Sequence, residues 1–164
     1  MIQTFHLTSV GEDKYNKHVN GALLCKPKPK FKATKLKIGF EVDEDAALIE
    51  AVRNAVGHDF GLMLDANHGY DSIDAIRLAQ KVEHLNLGWF EEPVPPEYLE
   101  GYLAVKASTS IPMAGGECEY TRFGFREVLK LGAIDYLQPD ICAAGGLSEC
   151  KKIADMANAF GVRL

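Results

Sequence analysis

The sequence predicts an α/β fold, a parallel sheet covered by helices, and three observations carry that expectation. Short β-rich runs alternate with helical patterns from about residue 32 to the end, which is the signature of successive βα units. Acidic residues close several of these runs: Asp65 and Glu91 are 26 positions apart, Glu91 and Glu117 are 26 apart, and Asp140 follows 23 later. A βα unit repeats at about this length. One ionisable group per strand end gathers these residues at the C-terminal rim of the sheet, where parallel barrels build their sites.

The elements follow in order. IQTFHLTSV is a strand candidate, KYNKHVNGALLCK a poor helix weakened by Asn20-Gly21, and KPKPKFK a basic, proline-broken connection. KATKLKIGF is a strand. DEDAALIEAVRNAVG is a helix with Asp43 or Asp45 as its cap. GLMLDAN is a strand, DSIDAIRLAQKVEHL a helix, and LGWFEE a strand. PPEYLEGYLAVKAS is a helix with proline in its first turn. IPMAGGE is a strand, TRFGFREVLKLG a helix and AIDYLQPD a strand; GLSECKKIADMANAFG is a helix closed by Gly161, and VRL begins another strand. No linker divides the chain. Residues 1–164 read as one partial barrel domain, with 1–31 an uncertain first βα unit and 32–164 the units that carry the site.

Bulk composition narrows the classes. With 164 residues, 47% hydrophobic and 25% charged, the chain has enough apolar residues for one core. A net charge of −5 argues against a nucleic-acid surface. The N-terminus has no signal-peptide pattern and no run approaches a membrane span. Cys25, Cys118, Cys142 and Cys150 form no CxxC or zinc spacing, so reduced thiols and a cytoplasmic setting are expected.

Side-chain direction sharpens the site. Strand residues alternate faces, so Lys35 and Lys37 share one face and Leu36 and Ile38 the other. Asp65 shares its face with Asn67, Glu91 with Trp89, and Asp140 with Gln138. Converging carboxylates repel unless a cation lies between them, and oxygen ligands alone suit a hard divalent ion, Mg²⁺ above all. Glu91 is then a metal ligand. Glu92, pointing the other way, is a supporting or structural partner. Two ammonium groups on one buried face disfavour each other's charge, which eases one lysine toward the neutral amine that a general base requires. A lysine base facing a metal-bound carboxylate can take the proton α to that carboxylate.

Each residue has a plainer reading. Asp65 could open a turn, Glu91-Glu92 a solvated helix entry, and Lys35 and Lys37 could guard a strand edge. Glu117 could sit at a helix dipole. His68 reads as a loop histidine, and His6, His18, His58 and His84 as surface or satisfied residues. Gly145-Gly146 reads as a turn rather than a phosphate site. The conjunction of strand ends is what favours a metal site.

KATKLKIG, LDAN, WFEEP, AGGE and LQPDICAAGG, in this order, resemble the enolase superfamily in its mandelate racemase and muconate lactonising branch. DANHGY, FEEPVPPE and CAAGGLSECKKIA are similar to its acid-sugar members, such as galactarolactone cycloisomerase and sugar-acid dehydratases. The resemblance implies a TIM-type (β/α) barrel, here about six strands without the N-terminal capping domain or the last barrel strands. It implies that Asp65, Glu91 and Glu117 hold Mg²⁺ and that Lys37 is the base. Lys35 would lower the Lys37 pKa and contact the substrate carboxylate, and Asn67 would touch substrate. Asp140 would orient a histidine expected beyond Leu164. The expected activity is Mg²⁺-dependent abstraction of the proton α to a carboxylate in a hydroxy or sugar acid. Dehydration, isomerisation, racemisation or epimerisation would follow. Two other readings stand beside it: a truncated metal-binding fragment without turnover, and an unrelated doubly wound ligand-binding domain, disfavoured because no GxGxxG or Walker loop follows an early strand. Open barrel edges predict a homo-oligomer, with a small carboxylate substrate and neither nucleic acid nor membrane as partner.

Overall fold

The computed structural model describes residues 2–5 and 32–164. The expected helix KYNKHVNGALLCK and nearly all of the basic connection after it lie outside the described residues, as do His6, His18 and Cys25. Six parallel strands run β1 Ile2–Phe5, β2 Ala33–Lys37, β3 Gly61–Asp65, β4 Phe90–Glu91, β5 Met113–Gly115 and β6 Tyr136–Leu137. They pair in sequence order, β1-β2-β3-β4-β5-β6. Helices follow them: α1 Val42–Val56, α2 Ser72–Val82, α3 Leu99–Ser108, α4 Thr121–Leu131, a short α5 Ile141–Ala144 and α6 Leu147–Ala159. Strand order that never reverses is the order of a barrel and not of a doubly wound sheet. The sheet stays open, as a partial barrel. Arg163 bridges Tyr136 in parallel, which is the start of the strand expected at VRL.

The expected alternation holds in β2, where Thr34 and Leu36 are buried and Ala33, Lys35 and Lys37 are not. β3 is buried at four successive positions, Leu62 to Asp65, as parallel strands covered on both faces are. The helix-side core joins Leu36, Leu62 and Leu64 to Ile49, Val52, Leu78, Val105, Phe125 and Ile153. A buried arginine lies among the helix-side elements. Arg53, 1% exposed, donates to the carbonyls of Leu85, Gly57, Phe60 and Asn86 at 2.6 to 3.0 Å.

Three local expectations change. Neither Asp43 nor Asp45 caps α1: the N-cap is Glu41, without a side-chain bond. Asp45 is instead buried and accepts from Gly39 N (3.1 Å), Phe40 N (2.8 Å) and Tyr70 Oη (2.5 Å). That carboxylate ties down the loop after β2. The loop needs glycine at position 39, where φ is +107° and a Cβ would lie 2.5 Å from the Ala66 carbonyl oxygen. The third helix starts at Leu99, not at the prolines, because Pro96 disfavours helical backbone at Pro95; a turn closed by Tyr98 N to Pro95 O (3.0 Å) precedes it. Finally, α6 ends at Ala159 with Phe160 as its cap, and Gly161 follows at φ 74°.

Candidate active site

Strand register decides which residues meet. Lys37 pairs with Asp65, Asp65 with Glu91, and Glu91 with Ala114. Lys37, Asp65 and Glu91 therefore occupy one rung, and directly paired residues of neighbouring strands face the same way. The equal spacing of 26 concealed a difference. The rung continues through Ala114 and Tyr136, so Glu117 and Asp140 are not strand-end residues. They lie three and four positions beyond the rung, in the loops after β5 and β6. Gly116, at φ 115°, turns the chain before Glu117.

Asp65 and Glu91 are almost fully enclosed, 1% and 2% exposed. Lys35 Nζ lies between them, 2.7 Å from Asp65 Oδ2 and in close contact with Glu91 Oε1. Lys37 Nζ is also 2.7 Å from Asp65 Oδ2 and 3.4 Å from Asn67 Oδ1. Asn67 in turn donates its backbone amide to Asp65 Oδ1 (3.1 Å). The other oxygen of Glu91 accepts from Trp89 Nε1 (2.9 Å) and Gln138 Nε2 (3.0 Å). Trp89 lies on the Glu91 side, the face that alternation assigns to it, whereas Gln138, assigned a face with Asp140, reaches Glu91. The Gln138 bond joins segments 47 positions apart.

At Lys35 the neighbouring carboxylates set the direction of the shift. Burial lowers the Lys35 pKa, but hydrogen bonds to Asp65 and Glu91 and their negative charge outweigh it, and the net shift is upward. Lys35 is an ammonium ion. Burial raises the Asp65 carboxyl, and the two lysines more than reverse that, so it is held low.

Glu92 also differs from the alternating reading. It leaves β4 at φ 45°, so the period of two ends at Glu91. Its carboxylate is 1% exposed and lies 3.1 Å from His68 Nε2. Burial, then the charges of Glu117, Asp65 and Glu91, push its pKa up to about 8. His68 is a loop residue, as expected, but it stands beside this acid group. The fit of position and sequence signal is poorest at residues just past a strand end, where backbone turns replace alternation. Asp140 caps α5 through Oδ1, which accepts from Cys142 N and Ala143 N at 2.8 Å each.

Asp65, Glu91 and Glu117 offer oxygen donors only. The first two already hold a cation, the Lys35 ammonium, between them. That chemistry suits a hard divalent ion such as Mg²⁺.

Residues 22–164 match the family model described as enolase C-terminal domain-like. The chain belongs to this enolase-type family. It is 51% identical over 134 residues to D-galactarolactone cycloisomerase of Agrobacterium fabrum, an alignment covering 82% of this chain and 35% of that protein. It is 36% identical over 135 residues to arabinonate dehydratase of Saccharolobus solfataricus, covering 82% and 36%. The chain thus spans about a third of the length of these curated relatives. Among solved structures, the 3,6-anhydro-D-galactonate cycloisomerase of Zobellia galactanivorans superposes with a TM-score of 0.89 at 44% identity, over 99% of this chain and 44% of that one. The two curated relatives are named enzymes, a cycloisomerase and a dehydratase, so the resemblance to the acid-sugar branch is borne out. Among the described residues, no helix is long and apolar enough to cross a membrane.

Proposed function

We propose that this enolase-type barrel segment carries the metal and base half of a site that removes the proton α to a carboxylate in a hydroxy or sugar acid, giving dehydration or isomerisation. The observation that supports it best is the single rung Lys37–Asp65–Glu91, with Lys35 bridging the two carboxylates. Asp65, Glu91 and Glu117 would hold Mg²⁺, which supplies positive charge for the substrate carboxylate as negative charge develops on its oxygens. Trp89 and Gln138 fix one oxygen of Glu91 and so pre-set its direction. Lys35 stays charged and attracts the substrate carboxylate. Lys37 has one carboxylate neighbour where Lys35 has two, which makes it the freer amine and the base. As a neutral amine it takes the α proton to Nζ; the C–H electron pair moves toward the carboxylate oxygens. Delivery of a proton to the opposite face of the α-carbon completes epimerisation, and departure of a β-hydroxyl together with a proton, as water, completes dehydration. Asn67, hydrogen-bonded to both Lys37 and Asp65, would touch substrate. Asp140, held rigid by its cap bonds, would orient a histidine of the following strand. The Agrobacterium relative makes cycloisomerisation the second reading, and a non-catalytic metal-binding segment the third.

The test is proton–deuterium exchange at the α-carbon of sugar acids in D₂O, with and without Mg²⁺. Metal-dependent exchange into at least one acid is expected. Absence of exchange across aldonic and aldaric acids, while Mg²⁺ binds, would leave the third reading. Magnesium itself is checked by calorimetry on metal-stripped protein. Saturable binding of about one ion per chain is expected, and Glu91→Gln should abolish it, because an amide loses the charge that offsets desolvation of the ion. Undiminished binding by that variant would remove Glu91 from the ligand set.

The substrate of this reading is a small carboxylate, with no nucleic-acid or membrane partner and a cytoplasmic setting. Leu147, Leu164, Phe160 and Ile141 are each about half exposed or more, on an open sheet. We therefore expect a homo-oligomer, seen as concentration-dependent sedimentation; a single monomeric species across micromolar concentrations would contradict it.

A further inference from the structure

A second set of donors lies beside the Asp65–Glu91 pair. His68 follows β3, Glu92 follows β4, and Glu117 and Cys118 follow β5. One ligating atom from each lies within 4.8 Å of all the others. His68 Nε2 is 3.1 Å from Glu92 Oε2 and 3.5 Å from Cys118 Sγ. Bonds of roughly 2.0–2.3 Å to Zn²⁺ place tetrahedral donors about 3.3–3.8 Å apart. Two of the separations are thus near the required value, and the widest must contract by about 1 Å. The loops after the strands can supply that.

An independent observation points to a ligand here. Glu92 is 1% exposed, and neither of its carboxylate oxygens has a hydrogen bond among the described residues. His68 Nε2 approaches one of them without the alignment of a hydrogen bond. A carboxyl group enclosed in this way is costly unless something satisfies it. It faces a thiol and an imidazole, which hard ions avoid and borderline ions favour. Cys118 and Glu117 are exposed, so the group has an entry path from solvent.

We propose that His68, Glu92 and Cys118, with Glu117, form a binding site for a thiophilic divalent cation such as Zn²⁺. Its nitrogen and sulfur donors distinguish it from the all-oxygen set of Asp65, Glu91 and Glu117. The two sets have Glu117 in common, so an ion held here withdraws that carboxylate from a hard ion at the neighbouring set. This consequence, unlike the site itself, rests on the reading of Glu117 as a Mg²⁺ ligand. Zn²⁺ then antagonises Mg²⁺.

Co²⁺ alone is the probe, titrated into reduced, metal-stripped protein and followed by absorption. A near-ultraviolet sulfur-to-cobalt band and strong visible bands of a four-coordinate ion are expected, saturating at one equivalent and erased by Zn²⁺. Cys118→Ser should abolish the sulfur band, and His68→Ala should shift or remove the visible bands. Circular dichroism and urea unfolding check that both variants fold; Cys118 is exposed, so serine is accommodated. Glu91→Gln should keep the cobalt spectrum, since Glu91 is not a donor. Absence of a sulfur band in the folded parent protein overturns the site. A band that survives Cys118→Ser also overturns it, by assigning the thiolate to Cys25, Cys142 or Cys150. The spectrum is read without Mg²⁺ or substrate, so its failure is separate from failure of the hard-ion reading, which calorimetry with Mg²⁺ reports. Prior loading with one equivalent of Zn²⁺ should suppress Mg²⁺ binding in the parent protein and not in Cys118→Ser; unaffected Mg²⁺ binding in the Zn²⁺-loaded parent would overturn the sharing of Glu117.

Discussion

Replacing Lys37 by methionine is expected to slow α-proton exchange by about 10²–10⁴-fold, the usual contribution of a positioned acid–base group. Methionine keeps most of the length and packing of the side chain and removes the amine. Lys37 Nζ contacts Asp65 and Asn67, whereas Lys35 Nζ contacts Asp65 and Glu91. The two lysines should therefore fail differently. Lys37→Met should lower the exchange rate at saturating acid while Mg²⁺ still binds. Lys35→Met should also weaken binding of the acid, because on the proposed reading it removes the ammonium that would attract the substrate carboxylate. Exchange measured by proton NMR, with Mg²⁺ binding by calorimetry, separates these outcomes. Exchange that survives Lys37→Met at the parental rate would sink the assignment of the base.

The second large effect concerns stability. Arg53→Met should lower the free energy of unfolding by about 3–5 kcal/mol, read as a lower urea midpoint with little change in slope. The guanidinium gives four hydrogen bonds to carbonyls in two separate loops. Gly57 and Phe60 precede β3, and Leu85 and Asn86 precede β4. Burial depresses its pKa, yet arginine remains charged at any ordinary pH. Methionine fills part of the volume but leaves the carbonyls unpartnered, at about 1–3 kcal/mol for each that stays buried. Water reaching some of them reduces the sum. A loss below about 1 kcal/mol would show that the loops do not depend on this residue. Because those loops set the start of the two strands that carry Asp65 and Glu91, Arg53 supports the site from the opposite end of the sheet.

Neither residue was equally visible beforehand. Lys37 stood out because alternation in KATKLKIG places it beside Lys35, and period-two geometry needs nothing but a strand. Arg53 sat unremarked in a helical run, since its partners are carbonyls 4 to 33 positions away. No sequence pattern identifies a buried backbone acceptor. Glu117 and Asp140 show the opposite failure, in which a regular spacing suggested one station for all. The unit from β4 to β5 is three residues shorter from rung to rung than the unit from β3 to β4, 23 against 26, so an interval of 26 carries Glu117 three residues past the rung. Glu92 and His68 illustrate a third cause. Both adopt positive φ, where the rule of alternating faces no longer applies.

The alternation of strands and helices, the partial barrel, the enolase-type family and the shared face of Lys35 and Lys37 are legible in the residues alone. These follow from local periodicity and short motifs, which depend on backbone geometry within a few residues. That Lys35 is the clamped cation, that Gln138 steadies Glu91, and that Glu92 turns toward His68 and Cys118 emerges in the folded chain. Each of those depends on strand register and on loop backbone beyond the strand ends. Both are set by packing among residues distant in sequence, and no local pattern records them.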